Sequence, residues 1–453
     1  MSIVLKIGGS NLHDINSLIR IEQLIRKYNE PVILIVSAFN GLTDRLYEQI
    51  QQENNLSVSL EHFLAELQAK YESILLEEIT SIRIQERVLG QFHERISRLE
   101  NLIKGSALIG GVPDYVEDEV VSFGERFSSL IISAYLEQKG LPVSELLPED
   151  LGLKTDGIFH NASVDFSKTG DISKNFDQKM SYVVPGFYGI GPDNRINVFG
   201  RGGSDYSAAA IAACLNADSL DVWKDVDGYL SGDPSRVQNP KPIKNLSYRE
   251  AAELSYFGAK ILHPRTVEPL KPLSIPIRIF NFQQSGADVT PYTIISDKSS
   301  DSFQGIKSIT FTEGIRTLTL RGAGVGITPG ILSKVTHQLE INRLNIKSVI
   351  TTQVAISLLL NSQDVDRANE LISSLQIQGI DEQDCSDELC LIAAVGEGVL
   401  NQPGIAAKIF TAVAERGINI QFISFGASRV AIYFLVERNQ RDAALNAIHK
   451  VLF

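Results

Sequence analysis

At 453 residues and 49.8 kDa the chain is too long for one hydrophobic core and long enough for two or three. Its 43 % hydrophobic and 21 % charged residues and its mean hydropathy of +0.02 exclude a disordered polymer. A net charge of −12 and a pI near 5.2 exclude a broad basic footprint for nucleic acid or an anionic membrane, so any phosphate must be met by a local cluster of cations.

The first segment, MSIVLKIGGSN, carries a lysine inside its apolar run and no small-residue cleavage site. No stretch reaches the roughly 18 apolar residues of a membrane helix. A cytoplasmic protein is expected. Lys6 stands at the end of a strand, Gly8 and Gly9 form the turn, and Ser10 or Asn11 is placed to open the next helix. Glycines let the backbone approach a phosphate closely, and a helix N-terminus offers it free N–H groups. The spacing is that of neither the P-loop nor the dinucleotide-binding turn.

Over the first ~295 residues the runs VLKIG, PVILIVSAF, LPVSELL, SLDVW and IPIRIF alternate with helical patterns, which predicts parallel strands covered by helices on both faces. Residues ~48 to 110, rich in Glu, Gln, Leu, Ile and Arg and nearly free of glycine, read as a helical insertion with a solvated charged face. Residues 200–228, GRGGSDYSAAAIAACLNADSLDVWKDVDG, raise a chemical question. Ser204 or Asp205 alone would cap the alanine-rich helix, which leaves Arg201 unexplained unless it makes a bidentate contact to a carboxylate or phosphate. His263 is expected to be structural. Cys214, Cys385 and Cys390 have no metal-ligand spacing and read as reduced packing residues. The small polar residues of NFQQSGADVTPYTIISDKSSDSFQG predict a linker.

Beyond it, GVGITPGILSKVTHQLEINRLNIKSVIT and GEGVLNQPGIAAKIFTAVAERGINIQFIS share a layout: a glycine turn, Pro-Gly, a helix and an Asn-Ile strand, followed by VAISLLL or VAIYFLV. Two such βαββαβ units are expected to pair side by side. Their layout resembles the ACT domain, a regulatory amino-acid-binding module.

Lys6-x-Gly-Gly, SFGERFSS (122–129), GRGGSDYSAA (200–209), VWKDVDG (222–228), FGAKILHPRT (257–266) and the paired repeats stand in the order found in aspartate kinases, and the whole chain resembles that family apart from the helical insertion. The resemblance implies a three-layer α/β/α kinase domain with a mostly parallel sheet at 1–295, then two ferredoxin-like ACT domains at 306–385 and 386–453. It implies ATP, with Mg2+ on the nucleotide phosphates and no metal held by the protein itself, and L-aspartate as phosphoryl acceptor. Lys6, Gly9 and Asp205 would be catalytic, Asp205 orienting Lys6. Lys6, Gly8, Gly9 and Ser10 would hold phosphates, while Lys224, Asp225, Tyr229, Asp233, Pro234, Arg236 and Lys260 would complete the nucleotide site. Glu125 would receive the substrate ammonium and Arg201 a carboxylate, with Ser37, Thr43, Gly202 and Ser204 lining that pocket.

The sequence departs from the family pattern at Lys224, where many members have threonine, at Leu230, and at Ser235-Arg236, where Asp-Pro-Arg is usual. Lys224 or Arg236 is placed to supply the missing cation. A kinase of another carboxylate substrate and a catalytically silent amino-acid sensor are the alternatives. The ACT resemblance implies a site for an amino-acid effector, and the otherwise uncovered Asn-Ile strand edges predict a homodimer, or dimer of dimers, joined through ~306–453. No dehydrogenase domain is expected after Phe453.

Overall fold

The computed structural model describes residues 3–51, 56–259, 261–284, 290–297 and 305–453. They form two compact units: Met1–Tyr229, Pro242–Ser255 and Lys260–Ser300 in the first, and Leu230–Lys241, Tyr256–Ala259 and Asp301–Phe453 in the second.

In the first unit an eight-stranded sheet is built from β1 (Ile3–Ile7), β2 (Val32–Val36), β3 (Val143–Glu145), β4 (Ser181–Pro185), β5 (Ser219–Lys224), β6 (Asn245–Leu246), β7 (Ile277–Asn281) and β8 (Thr293–Ile295). The order is β3-β4-β2-β1-β5-β7-β8-β6, parallel from β3 through β7, with β8 antiparallel to β7. Every residue of β2 is buried, as a strand covered on both faces requires. β8 lies inside the segment expected to be a linker, so that segment contributes a sheet strand. Its residues 285–289 and 298–304 lie outside the described residues.

The helices of ten residues or more are α1 (Ile15–Ile25), α2 (Leu42–Gln51), α3 (Leu56–Glu78), α4 (Ile82–Ile109), α5 (Asp114–Gln138) and α6 (Gly203–Cys214). α1 begins at Ile15, four residues beyond Asn11, because Asp14 and Ser17 close a capping box there; Ser10 and Asn11 instead lie in a 3-10 turn, Gly9–Asn11. α3 and α4 pack through Tyr71 and Phe92 against Phe127 of α5, an aromatic cluster completed by Phe39. Alanine and serine on α6 allow it to pack closely on β1 and β2, and residues 203–213 are all buried.

The second unit is one seven-stranded sheet with β9 (Ser308–Arg321), β10 (Ser348–Thr351), β11 (Ala355–Asn361), β12 (Glu382–Cys385), β13 (Leu389–Val395), β14 (Phe422–Phe425) and β15 (Ala431–Glu437). Helices α7 (Ile331–Ile341), α8 (Ser362–Ser374), α9 (Ile405–Ala414) and α10 (Arg441–Leu452) complete the two copies. Both Pro-Gly pairs do the same job: Gly330 and Gly404, at φ 89 and 86, begin α7 and α9 in the left-handed region. The copies are not simply consecutive. β9 is bulged between Thr312 and Ile315; its second half pairs with β11 and β12, and its first half, Ser308–Thr312, pairs with β13. The stretch expected to open the first copy thus also closes the sheet of the second.

Candidate active site

In a parallel sheet, ligands gather at the carboxyl ends of the strands. There β1 delivers Lys6, β2 runs out to Ser37, and β5 ends at Lys224. Residues 6 and 222 are paired in register, so Lys224 projects two residues beyond Lys6 on the neighbouring strand. Asp205, in the first turn of α6, lies between them: Lys6 Nζ is 2.5 Å from Oδ1 and Lys224 Nζ 2.9 Å from Oδ2. Burial pushes the Asp205 carboxyl up, but the Lys224 and Lys6 ammonium groups outweigh it and hold the group well below the usual carboxylate range. Burial also pulls the Lys6 ammonium down, with Asp205 opposing and Lys224 reinforcing that effect. The trio carries a net charge of about +1 in a desolvated place, which suits an incoming anion.

Beside it is a cavity of about 540 Å3 lined by Lys6, Gly9, Ser10, Ser37, Thr43, Glu125, Arg201, Gly202, Ser204 and Asp205. Glu125 is buried at the centre of α5; the Ser204 hydroxyl donates to its Oε1 at 3.1 Å, and its Oε2 has no partner among the described residues. Burial raises its carboxyl to about 7 against the Ala38 amide, the Ser204 hydroxyl and Lys6. A buried carboxylate oxygen without a donor is costly, and a substrate ammonium would supply that donor. Arg201, at the rim, is exposed and takes no ion pair among the described residues.

Neither Ser204 nor Asp205 caps α6. The cap is Gly202, at φ 71, and the side chains of Ser204 and Asp205 are used by Glu125 and the two lysines. A Cβ on Gly202 would lie 2.4 Å from the Cβ of His263, which therefore serves as packing for this turn. A Cβ on Gly9 would lie 2.8 Å from the Ala38 carbonyl, so only glycine brings the turn this close to β2. The Gly8 carbonyl closes the 3-10 turn by accepting from the Asn11 amide at 3.0 Å.

The remaining expected nucleotide residues are distributed more widely. Asp225 is exposed just after β5, and Tyr229 is buried with its hydroxyl 3.4 Å from that of Ser255. Asp233, Pro234 and Arg236 belong to the second unit, and Lys260 lies outside the described residues.

Two contributors escaped sequence reasoning. Arg265 donates to the carbonyls of Phe199 and Ala162 and to the side chains of Asn161 and Ser163 while lying 4.3 Å over the Tyr206 ring. It thereby fastens the loop that ends at Gly200; the neighbouring His-Pro is the more conspicuous feature of that stretch of sequence. His160 lines the cavity with φ 64, its amide held by both oxygens of buried Asp118 at 3.1 Å. Nothing in the local sequence marks it.

A family profile described as the amino acid kinase family matches residues 1–281, and one described as the ACT domain matches residues 392–452. The chain belongs to the amino acid kinase family. It is 28 % identical over 470 residues to aspartokinase 1, chloroplastic, of Arabidopsis thaliana, covering 100 % of this chain and 80 % of that protein. It is 29 % identical over 399 residues to the aspartokinase of Saccharomyces cerevisiae, covering 82 % and 75 %. With the bifunctional aspartokinase/homoserine dehydrogenase of Buchnera aphidicola it shares 27 % over 471 residues, 99 % of this chain but 56 % of that one. Among solved structures, Clostridium acetobutylicum aspartate kinase matches with a TM-score of 0.80 and 26 % identity, covering 100 % of both chains. E. coli aspartokinase III in complex with aspartate and ADP shares the fold, with a TM-score of 0.84, 23 % identity and 100 % of both chains covered.

Proposed function

We propose that this protein is an aspartate kinase, which moves the γ-phosphoryl of ATP to the β-carboxylate of L-aspartate to give 4-phospho-L-aspartate and ADP. The observation that carries the reading is the pairing of an unpartnered buried carboxylate oxygen on Glu125 with an Arg201 that takes no ion pair among the described residues, in one cavity beside the Lys6–Asp205–Lys224 trio. Glu125 and Arg201 recognise the ammonium and a carboxylate of the amino acid, and Ser37, Thr43, Gly202 and Ser204 shape the space between. A β-carboxylate, which ordinarily titrates at about 3.9, is already ionised at neutral pH, so its attack needs no general base. What the site supplies is position and positive charge: Lys6, Lys224 and the Gly8–Gly9–Ser10 turn meet the phosphates as charge spreads over the transferring oxygens. Mg2+ would neutralise further charge on the nucleotide when bound with it; among the described residues no group of three or more His, Cys, Asp and Glu gathers to hold a metal. Asp225, Tyr229, Asp233, Pro234, Arg236 and Lys260 are assigned to the remainder of the nucleotide. On this reading residues 1–295 are the catalytic domain, and 306–385 and 386–453 the ACT pair.

Hydroxylamine trapping of the acyl phosphate tests the assignment: aspartate-dependent hydroxamate is expected, and its absence with Mg-ATP and aspartate would overturn it. Glutamate should be the poorer substrate by tens- to hundreds-fold, since one methylene in a fitted pocket is worth about 1–3 kcal/mol.

Regulation is assigned to the second unit. A structure of E. coli aspartokinase III contains lysine together with aspartate. Here Ser348 stands where lysine-inhibited aspartokinases place an aspartate, Lys347 precedes it, and Gln353 replaces a Ser-Glu pair with one residue fewer. The Ser348 hydroxyl lies 3.3 Å from that of Tyr433. A lysine ε-ammonium would meet no counter-charge from these positions, and burying it unpaired is costly. The effector should therefore have an uncharged side chain, threonine first, the alternative being no effector at all; strong inhibition by millimolar lysine alone would reverse this. The uncovered edges β10 and β14, with Val349, Ile423 and Phe425 exposed, support a homodimer through this unit. Light scattering should give at least twice 49.8 kDa, and a monomeric mass would contradict it. No described helix is long and apolar enough to cross a membrane, and the proposed site of action is the cytoplasm.

A further inference from the structure

Asp118 stands on α5, about two turns before Glu125, and is wholly buried. Among the described residues it takes no lysine or arginine partner. An apolar side chain would fill the same space at less cost, since burying a carboxylate is expensive unless its lone pairs are met. Here they are met by one region of the chain. Oδ2 accepts from the Val198 amide at 2.9 Å and from the His160 amide at 3.1 Å; Oδ1 also accepts from the His160 amide, at 3.1 Å, and lies 3.0 Å from His160 Nδ1.

Those two amides belong to the two stretches of chain that converge on Arg201, and all of these residues lie in the first unit. Val198 ends the short strand Ile196–Val198, three residues before Arg201. Its carbonyl accepts from the Ala162 amide at 3.0 Å, so residues 160–162 run alongside it. His160 is held at φ 64, and its carbonyl packs on Gly200, where a Cβ would lie 2.7 Å away. The Gly200 carbonyl in turn accepts from the Gly203 amide at 2.9 Å, closing a turn whose two central residues are Arg201 and Gly202. Arg265 fastens the same junction through the Phe199 and Ala162 carbonyls. One helix thus carries both sides of the acceptor pocket: Glu125 directly, and, through Asp118, the turn that presents Arg201.

We propose that Asp118 is a positioning residue for the amino-acid substrate: by holding the His160 and Val198 amides it sets the place of Arg201 relative to Glu125. This rests on the assignment of Arg201 to a substrate carboxylate. A turn that is competent only part of the time weakens apparent affinity by that fraction, and saturating substrate restores the competent form. The aspartate constant therefore shifts, while turnover and the nucleotide constant stay.

The full-length protein is assayed with aspartate and Mg-ATP varied separately. Asp118→Ala should raise the KM for aspartate about tenfold and leave kcat and the KM for ATP within about twofold. Asp118→Asn, whose oxygen can stand in for Oδ2 and accept from both amides, should recover most of the loss. Asp118→Leu, which restores the volume without an acceptor, should not. Arg201→Ala should raise the aspartate constant by itself, and adding Asp118→Ala to it should cost nothing further, because both act through the same guanidinium. Should Asp118→Ala not fold, Gly200→Ala, which forces the His160 carbonyl away from the turn, is expected to raise the aspartate constant alone. An unchanged aspartate KM in Arg201→Ala overturns the assignment of Arg201 and the proposal with it. A raised constant in Arg201→Ala, with Asp118→Ala, or in its place Gly200→Ala, silent or shifting both substrates equally, overturns the positioning role and leaves Arg201 where it was assigned. Recovery by Asp118→Leu equal to that by Asp118→Asn would reduce Asp118 to packing and overturn it as well.

Discussion

Lys6→Met should lower kcat by about 10²–10³, the loss typical when one preorganised charge or donor facing a developing anion is removed. Methionine keeps the length and apolar character that a site 4 % exposed demands, and Asp205 keeps Lys224 as its partner, so the fold should survive. KM for either substrate should move far less than kcat, because the Lys6 ammonium acts mainly on charge that grows during transfer. Single-turnover measurement with saturating ATP and aspartate checks this. Near-normal turnover would remove Lys6 from the phosphate site and leave Lys224 as the working cation.

Glu125→Gln should act on the other substrate and in the other constant. The amide cannot offer a charge to the aspartate ammonium, a loss of ~2–3 kcal/mol for a buried pair, or about 30- to 150-fold in the aspartate KM, with kcat little changed. The pH dependence gives a second reading of the same group. Burial raises its carboxyl from 4.5 to about 7. Only the ionised form pairs with an ammonium, so kcat/KM for aspartate should rise with pH up to about 7 and then level off, and that rise should vanish in the variant. Stability runs the opposite way. Because the folded-state pKa lies above the unfolded one, ionised Glu125 weakens the fold above pH 4.5. The glutamine variant should therefore melt higher than the parent at pH 8, with the gap closing toward pH 4. A variant with unchanged aspartate KM would take Glu125 out of the substrate pocket.

How much of this was readable in advance depended on whether the chemistry was local in the chain. Lys6, Gly8 and Gly9 sit within four residues, and the turn they form follows from a strand ending in Lys-x-Gly-Gly. The ion pair between Asp205 and Lys224 spans 19 residues and exists because β5 lies beside β1 in the sheet, which no local pattern declares. That geometry gives Lys224 a charge role that its unusual place in the motif left open. Arg265 is further still, about 100 residues from the loop it fastens. β8 was hidden by composition, since the flanking serines and the single proline of a linker-like stretch mask three residues that add a strand to the sheet. For the ACT-like pair, periodicity disclosed two copies but could not disclose that one strand serves both.

The shared strand makes the two copies inseparable. β9 is a single 14-residue span, kinked at Gly314 (φ 66), with a separate hydrophobic core under each half. Excising residues 386–453 would take along one copy's helices while abandoning its closing strand in the other, and two raw sheet edges would be left where there had been pairing. Grafting either copy into another protein would meet the same obstacle. The strand is also a mechanical beam: tilting the half that pairs with β11 levers the half that pairs with β13, because the backbone between them is continuous and held by ladders on both sides. A change of pitch in one copy would then be felt in the other through one continuous backbone.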